Sequence, residues 1–285
     1  IELMKDWVRE RLCAERGHRT DRVDAQGTLL FDVRARSWSG PLLDIVALTP
    51  EMMPEVFEPT DRVGVLHRDL SERWSLPADV PVVAGTTDTA AELVAAGAVR
   101  AGDVVVKLAT AGNVALLADA PSAVPGILSY EHVVPGLHYL NSATSSASAS
   151  LSWFAESFLG MSGPDVYARI DAAAADVPAG SDGLLFTPFL HGERAPRFDE
   201  KLRGGFLGLT ARHTWRHAAR AVMEGVAYSI RDAASLHPVL ARRPLLVGGG
   251  SLSSVWPQIL ADVLDRELAV CSWADSSVGA AFLAG

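Results

Sequence analysis

The stretch PVVAGTTDTAAELVAAGAVRAGDVVVKLATAGN, residues 81–113, decides the fold class of this chain. Its first apolar run predicts a strand that ends at Gly85, and a helical pattern follows. Thr89 and Glu92 have the spacing of a capping box, which predicts a helix start beside them. Asp88 is therefore expected at a helix N-terminus just beyond a strand end, where ligands bind in open α/β sheets.

The second half of this stretch predicts another strand over residues 104–109, followed by a small-residue turn from Thr110 to Asn113. Two interpretations stay open at this point. The structural interpretation is a helix cap followed by a hairpin. The functional interpretation makes Asp88 a proton acceptor and the turn at Thr110 a phosphate-binding turn.

The composition is that of a globular protein, with 285 residues, 49% hydrophobic residues and 21% charged residues. The formal net charge of −9 argues against nucleic acid or an anionic membrane as a partner. Cys13 and Cys271 are too few for a disulfide framework and have no zinc-site spacing. No apolar run has the ~18 residues of a membrane span, and no signal peptide is visible. We therefore expect a cytoplasmic protein.

The chain begins at Ile1, without a Met and inside a helical pattern, and it stops at Gly285 in mid-pattern. These two features predict a piece of a longer protein.

Further along, strand-like runs at 113–117 and 137–141 complete a predicted meander of three antiparallel strands. The small-residue tract 142–152 is either a surface that a ligand approaches closely or a tightly packed helix start. Residues 183–190 form a continuous apolar run, which predicts a buried strand. Thr214 is expected to cap a long helix with one apolar stripe.

The loop after the apolar run 183–190 carries His191, Glu193 and Asp199. These side chains are of metal-ligating types, but their spacing matches no established metal motif. A packing or solvated loop is the favoured interpretation, and we assign no residue to a metal.

The apolar run 245–247 leads directly into Gly248-Gly249-Gly250-Ser251 and a helical pattern. A strand, a glycine turn and a helix N-terminus are the arrangement that binds phosphate or nucleotide. The turn is neither GxGxxG nor a Walker A motif. A tight turn that needs glycine only for its geometry therefore stays open as an alternative.

Three antiparallel strands followed by helices and further strands are the element order of the ribonuclease-H-like α/β fold of actin, hexokinase and Hsp70. Within that fold, several segments together resemble the FGGY carbohydrate kinases, most of all the xylulokinase branch. These segments are DVVVKLATAGNVAL, HGERAP, RGGFLGLTARHTWRHAARAVMEGVAYSIRD, GGGSLSSVWPQILADVL and SSVGAAFLAG. The resemblance implies that residues 1–97 are the end of an N-terminal sugar-binding domain that includes the catalytic Asp. Residues 98–285 would be the C-terminal nucleotide-binding domain.

The resemblance also implies roles for single residues. Asp88, in AGTTD, matches the family's catalytic aspartate, which takes the proton of the attacking sugar hydroxyl. The residues that match the family's nucleotide-binding positions are Thr110 and Gly112 in the phosphate turn, Ser148 in the small-residue tract, and Gly248, Gly249 and Ser253 in and after the glycine turn.

The implied activity is ATP-dependent phosphorylation of a sugar, with Mg²⁺ on the phosphates and a ketopentose such as xylulose as substrate. The chain departs from the family in having Thr86-Thr87 where Gly-Gly is common and Ala109 where the phosphate turn begins with Gly. The family's first phosphate loop, Asp-x-Gly-Thr, is not in this sequence, so we expect the chain alone to be inactive. Other FGGY substrates (ribulose, erythritol, glycerol) and a non-catalytic nucleotide-binding module remain alternatives, and a homodimer remains open.

Overall fold

The computed structural model describes residues 1–238 and 242–285. The helices are α1 (Met4–Leu12), α2 (Arg22–Gly27), α3 (Gly40–Ile45), α4 (Arg68–Arg73), α5 (Asp88–Ala95), α6 (Ser148–Trp153), α7 (Val166–Ala175), α8 (Trp215–Ala234), α9 (Trp256–Leu264) and α10 (Ser276–Ala284). Short 3-10 turns lie at Pro50–Met52, Ser181–Gly183 and Gly249–Leu252, and a π-helical turn lies at Phe154–Phe158.

The strands are β1 (Arg19–Asp21), β2 (Phe31–Asp32), β3 (Ser37–Trp38), β4 (Glu55–Phe57), β5 (Arg62–Val65), β6 (Pro81–Val83), β7 (Val104–Leu108), β8 (Gly112–Ala118), β9 (Leu128–Glu131), β10 (His138–Ala143), β11 (Leu185–Thr187), β12 (Gly205–Leu207), β13 (Leu245–Val247) and β14 (Ala269–Val270). The chain divides into two compact units. Unit 1 comprises residues 1–97, 130–137 and 275–285, and unit 2 comprises residues 98–129 and 138–274.

The main sheet has six strands in the order β14-β13-β7-β8-β10-β9. Strands β7, β8 and β10 pair antiparallel, whereas β13 pairs parallel with both β7 and β14. The predicted meander of three strands is confirmed. Strand β9 was not predicted, because its four residues Leu-Ser-Tyr-Glu alternate too briefly to give a period-two signal.

Helix α8 packs its apolar stripe into the core of unit 2, as the sequence predicted. Val222, Val226 and Ile230 are fully buried in the same cluster as Val104 and Val106 of the central strand. Thr214 directly precedes the helix, and its amide donates to Nδ1 of His217 at 3.1 Å.

The prediction of a buried strand over residues 183–190 is wrong in extent and setting. Only Leu185–Thr187 form a strand, which pairs antiparallel with β12 in a separate two-stranded sheet. Phe186 is buried but the Leu185 side chain is 54% exposed. A short apolar run does not distinguish a central strand from a two-stranded ribbon with one covered face.

Unit 1 is built from α1–α5, α10 and three two-stranded sheets, β1–β4, β2–β3 and β5–β6. Helix α10 packs closely against α5 through Gly279. A Cβ atom on Gly279 would lie 1.8 Å from the carbonyl oxygen of Ala91, so no larger residue fits without a shift of the two helices. The last helix of the chain therefore supports the helix that carries Asp88.

The predicted capping box at Thr89 and Glu92 is wrong by two residues. Helix α5 begins at Asp88, its N-cap is Thr87, and the Thr87 hydroxyl accepts the amide of Ala90 at 3.3 Å. Thr87 and Thr89 have the same capping chemistry, so spacing alone could not choose between them. Asp88 is then the first residue of the helix.

Across the described residues, no helix is both long enough and apolar enough to cross a bilayer.

Candidate functional site

A largely apolar cavity of unit 2 lies where the predicted nucleotide residues come together. It has a volume of about 590 Å³, which is in the range of small-molecule sites. Four of the predicted residues line it: Thr110, Ser148, Gly249 and Ser253. Their positions are separated by up to 143 residues in sequence (253 minus 110). The fold brings them together at one end of the strands of the main sheet.

The three glycines of the turn after β13 have different surroundings. A Cβ on Gly248 would lie 2.8 Å from the Leu108 carbonyl oxygen, and Gly248 has a φ of +91° that other residues rarely adopt. A Cβ on Gly250 would lie 2.5 Å from the Leu108 side chain. Gly249 meets nothing within 4 Å. Turn geometry and packing therefore account for Gly248 and Gly250, while Gly249 leaves open space at the cavity wall.

The turn at Thr110 lines the cavity and is hydrogen-bonded to the start of α6. The Thr110 carbonyl accepts the amides of Ala147 and Ala149 at 2.8 and 3.2 Å, and the Ala109 carbonyl accepts the amide of Ser148 at 2.8 Å. Ser148 Oγ is buried and has no hydrogen-bond partner in the part of the chain that the structure describes. A buried hydroxyl without a partner in a cavity wall is available to a ligand.

Gly112 is also a predicted site residue, but it does not line the cavity. A Cβ at this position would lie 2.9 Å from the Ile230 side chain and 3.0 Å from Thr144 Oγ1. Its amide donates to the same Thr144 oxygen at 3.0 Å. The position needs glycine because α8 packs closely there.

Asp171 is a cavity residue that the sequence reasoning missed. Its Oδ1 accepts the Ser253 hydroxyl at 2.8 Å and its Oδ2 accepts the Ser254 amide at 2.8 Å. The Ser253 oxygen in turn accepts the amides of Val255 and Trp256 at 3.2 and 3.0 Å. Asp171 therefore fixes the segment between the glycine turn and α9. The one available signal was a single acid on an otherwise apolar face of α7.

We predict that Ser253→Ala lowers the free energy of unfolding by about 1 kcal/mol, because two amides at the start of α9 lose their acceptor. Urea unfolding followed by tryptophan fluorescence measures the change. Ser254→Ala is the matched control, since among the described residues the Ser254 hydroxyl makes one hydrogen bond, at 3.4 Å, to Asp171. An equal loss in both variants would contradict this role of Ser253.

Asp88 belongs to unit 1 and is exposed at the first turn of α5. Its Oδ1 accepts the amide of Thr89 at 2.6 Å, and the helix N-terminus favours a negative charge there. Thr86 and Thr87 lie just before Asp88, and both of their hydroxyls make hydrogen bonds. Thr86 Oγ1 donates to Asp21 Oδ2 at 3.3 Å, and Thr87 caps the helix.

The loop that contains His191 and Glu193 is organised by hydrogen bonds. The buried Glu193 carboxylate accepts the amides of Ser145 and Arg194 and the hydroxyl of Ser229, each at 2.7 Å. These contacts favour the packing interpretation of the loop. Within the described ranges, the one cluster with metal-ligand spacing is Glu2, Glu10 and His18 at the surface of unit 1.

Comparison with known proteins places these features in a family. Residues 1–95 match the N-terminal domain model of the FGGY family of carbohydrate kinases, and residues 82–285 match the C-terminal domain model. The chain is 33% identical over 291 residues to a xylulose kinase of Escherichia coli, covering 100% of this chain and 59% of that protein. It is 34% identical over 255 residues to a xylulose kinase of Lactococcus lactis, covering 87% of this chain and 50% of that protein.

The crystal structure of xylulose kinase from Rhodospirillum rubrum superimposes with a TM-score of 0.84 at 31% identity, over 98% of this chain and 57% of that one. This likeness confirms the predicted ribonuclease-H-like fold. The chain spans between half and three fifths of the length of these relatives. Both domain models match and together they cover the whole chain, so the chain belongs to the FGGY family of carbohydrate kinases.

Proposed function

We propose that this chain is part of an ATP-dependent kinase that phosphorylates a sugar hydroxyl, and that the sugar is a ketopentose such as D-xylulose. The observation that carries the proposal is that each unit has a group suited to phosphoryl transfer. Unit 1 presents an exposed carboxylate at a helix start, and unit 2 has a cavity with a glycine wall at a strand end. The sugar is proposed from the relatives, because the two named above, at 34% and 33% identity, are xylulose kinases.

The residues of unit 2 fit a nucleotide. Gly249 leaves room for a flat group against the backbone, and Trp256 and Tyr167 add aromatic surface to the cavity wall. Ser148 offers a hydroxyl that has no other partner among the described residues, and Thr110 a second one at the strand end. We propose that these residues, with Ser253 behind the glycine turn, hold ATP. ATP supplies the phosphoryl group, and Mg²⁺ would neutralise charge on its phosphates.

Asp88 is proposed as the general base. The oxygen of the sugar hydroxyl forms a new bond to the γ-phosphorus, the bond from that phosphorus to the bridging oxygen of ADP breaks, and the hydroxyl proton passes to the Asp88 carboxylate. Phosphoryl transfer depends on positioning and on electrostatic stabilisation more than on covalent help from the protein. A carboxylate held at a helix N-terminus meets that need because its position is fixed by the helix.

The domain assignment follows from these roles. We propose that residues 1–97 belong to the sugar-binding domain and contribute Asp88, and that residues 98–285 form the nucleotide-binding domain. The compact units differ from these sequence bounds, because residues 130–137 and 275–285 pack with unit 1.

A panel of sugars tests the proposal. The full-length protein that contains this chain is incubated with Mg²⁺, ATP and one of D-xylulose, ribulose, erythritol, glycerol or gluconate, and ADP is measured by a coupled assay. We expect saturable, sugar-dependent ADP formation with D-xylulose at the highest kcat/KM. A higher kcat/KM for another member would reassign the substrate, and no sugar-dependent ADP with any member would support a non-catalytic nucleotide-binding module.

A further inference from the structure

Helix α1 has an unusual distribution of burial. Its charged residues Asp6 and Arg9 are buried, with 1% and 5% of their surfaces exposed, whereas Met4 and Trp7 are exposed. Buried charges are costly unless they are paired and hydrogen-bonded. Asp6 Oδ1 lies 3.8 Å from Arg9 Nε and accepts from Lys5 Nζ at 2.7 Å, so Lys5 belongs to the same charged cluster.

Lys5 lies at the junction of α1, α2 and the loop before α5. Its Nζ donates to the carbonyl oxygen of Ala84 at 3.0 Å and to Asp6 Oδ1 at 2.7 Å. The same nitrogen lies 3.3 Å from Asp21 Oδ1 and 3.5 Å from Asp24 Oδ2. One ammonium group therefore holds a backbone carbonyl of the Asp88 loop and three carboxylates, all within unit 1.

Asp21 makes the second attachment to this loop. Its side chain is fully buried, and its Oδ2 accepts the amide of Val23 at 2.9 Å and the hydroxyl of Thr86 at 3.3 Å. Asp21 Oδ1 has no hydrogen-bond partner among the described residues and faces Lys5. The residues at two and four positions before Asp88 are thus both held by the Lys5–Asp21 pair.

The two charges of the pair depend on each other. Burial raises the pKa of Asp21 to about 6, and the nearby Lys5 opposes that rise. Burial disfavours the charge of Lys5, but the carboxylates of Asp21 and Asp6 outweigh it and raise the pKa of Lys5. Asp24 also has a raised pKa, first from burial and in small part from the charge of Asp88 itself. The cluster and Asp88 therefore share one electrostatic environment.

We propose that Lys5 and Asp21 are positioning residues for Asp88: they hold Ala84 and Thr86 so that the carboxylate is presented in one orientation. This inference rests on the proposed function of Asp88. Neither residue touches a reacting atom in this scheme. If Ala84 and Thr86 were released, α5 would stay in place but Asp88, its first residue, could move. Misplacement of a catalytic group by ~1 Å can lower the rate about 100-fold.

The first readout does not depend on activity. Backbone hydrogen exchange, measured by mass spectrometry on the full-length protein, compares the peptide that spans residues 84–89 in wild type, Lys5→Met and Thr86→Val. We expect at least about tenfold faster exchange in this peptide for Lys5→Met, a smaller increase for Thr86→Val, and unchanged exchange in unit 2. Unchanged exchange in residues 84–89 for both variants overturns the inference, whether or not the protein is a kinase.

The second readout separates turnover from nucleotide binding. We expect kcat to fall at least about tenfold in Lys5→Met while the KM for ATP stays within about threefold, because only the orientation of the base is lost. Arg68→Met is the matched control, since it removes a cation from an exposed ion pair with Glu72 in the same unit. Wild-type kcat in Lys5→Met overturns the inference, whereas an inactive wild-type protein overturns the proposed function. Thr86→Val repeats both readouts without removing a charge, in case Lys5→Met fails to fold.

Discussion

Replacement of Asp88 by Asn in the full-length protein is expected to lower kcat for sugar phosphorylation about a thousandfold, since a positioned general base contributes 10²–10⁴-fold. Asn keeps the size of the side chain and can still accept the Thr89 amide, so helix α5 should form as before. The binding of ATP should stay within about threefold of wild type, because the proposed nucleotide residues belong to unit 2. Steady-state kinetics with varied ATP, together with nucleotide titration, measure both quantities.

Asp69→Asn is the matched control for this variant. Asp69 is also an exposed acid in the first turn of a helix of unit 1, and it has no proposed role. We expect wild-type kinetics from this control. Turnover of Asp88→Asn within a few-fold of wild type would mean that Asp88 is not the base.

Gly249→Val is expected to raise the KM for ATP by about 10- to 100-fold, which corresponds to ~1.4–2.8 kcal/mol. A Cβ atom at this position would meet no atom within 4 Å, and Gly249 does not have a positive φ, so we expect valine to enter the cavity without straining the turn. It would then occupy the space that we propose for the nucleotide. The KM for the sugar should change less than threefold, because this cavity is not the proposed sugar site.

Gly205→Val distinguishes this effect from general damage to unit 2. Gly205 lies in β12 and is not in the cavity wall, and a Cβ atom added to it would also meet nothing within 4 Å. We expect kinetics within twofold of wild type for this control. An equal rise of both KM values in Gly249→Val, with a lowered unfolding temperature, would indicate misfolding and would contradict the proposed contact.

Local patterns were sufficient to predict the three-stranded meander β7, β8 and β10 and the helix α8. The valines of β7 and the apolar stripe of α8 repeat with the periods of a strand and a helix, and the structure has both where they were expected. The capping box was misplaced because Thr87 and Thr89 both have the chemistry of a cap. The buried strand was overextended because an apolar run does not report what covers it.

The supporting contacts could not be predicted from spacing. Asp171 and Ser253 are 82 residues apart, and Lys5 and Ala84 are 79 residues apart, so no local pattern joins them. Lys5, Asp21 and Asp171 also look like ordinary charged residues of surface helices and turns in the sequence. Their importance depends on burial, which only the fold reveals.

The local setting at strand ends singled out Asp88, the turn at Thr110 and the glycine turn. The roles of the single residues, Ser148 and Ser253 among them, came from the resemblance to the FGGY kinases.

The most direct test of the account is phosphorus NMR of the full-length protein with Mg²⁺, ATP and D-xylulose. The account predicts that the γ-phosphate signal of ATP is replaced by a sugar phosphomonoester signal, in equal amount to the ADP formed. It also predicts that the Asp88→Asn protein leaves the spectrum of ATP unchanged over the same time. Formation of ADP with only inorganic phosphate, or equal phosphorylation by the Asp88→Asn protein, would contradict it.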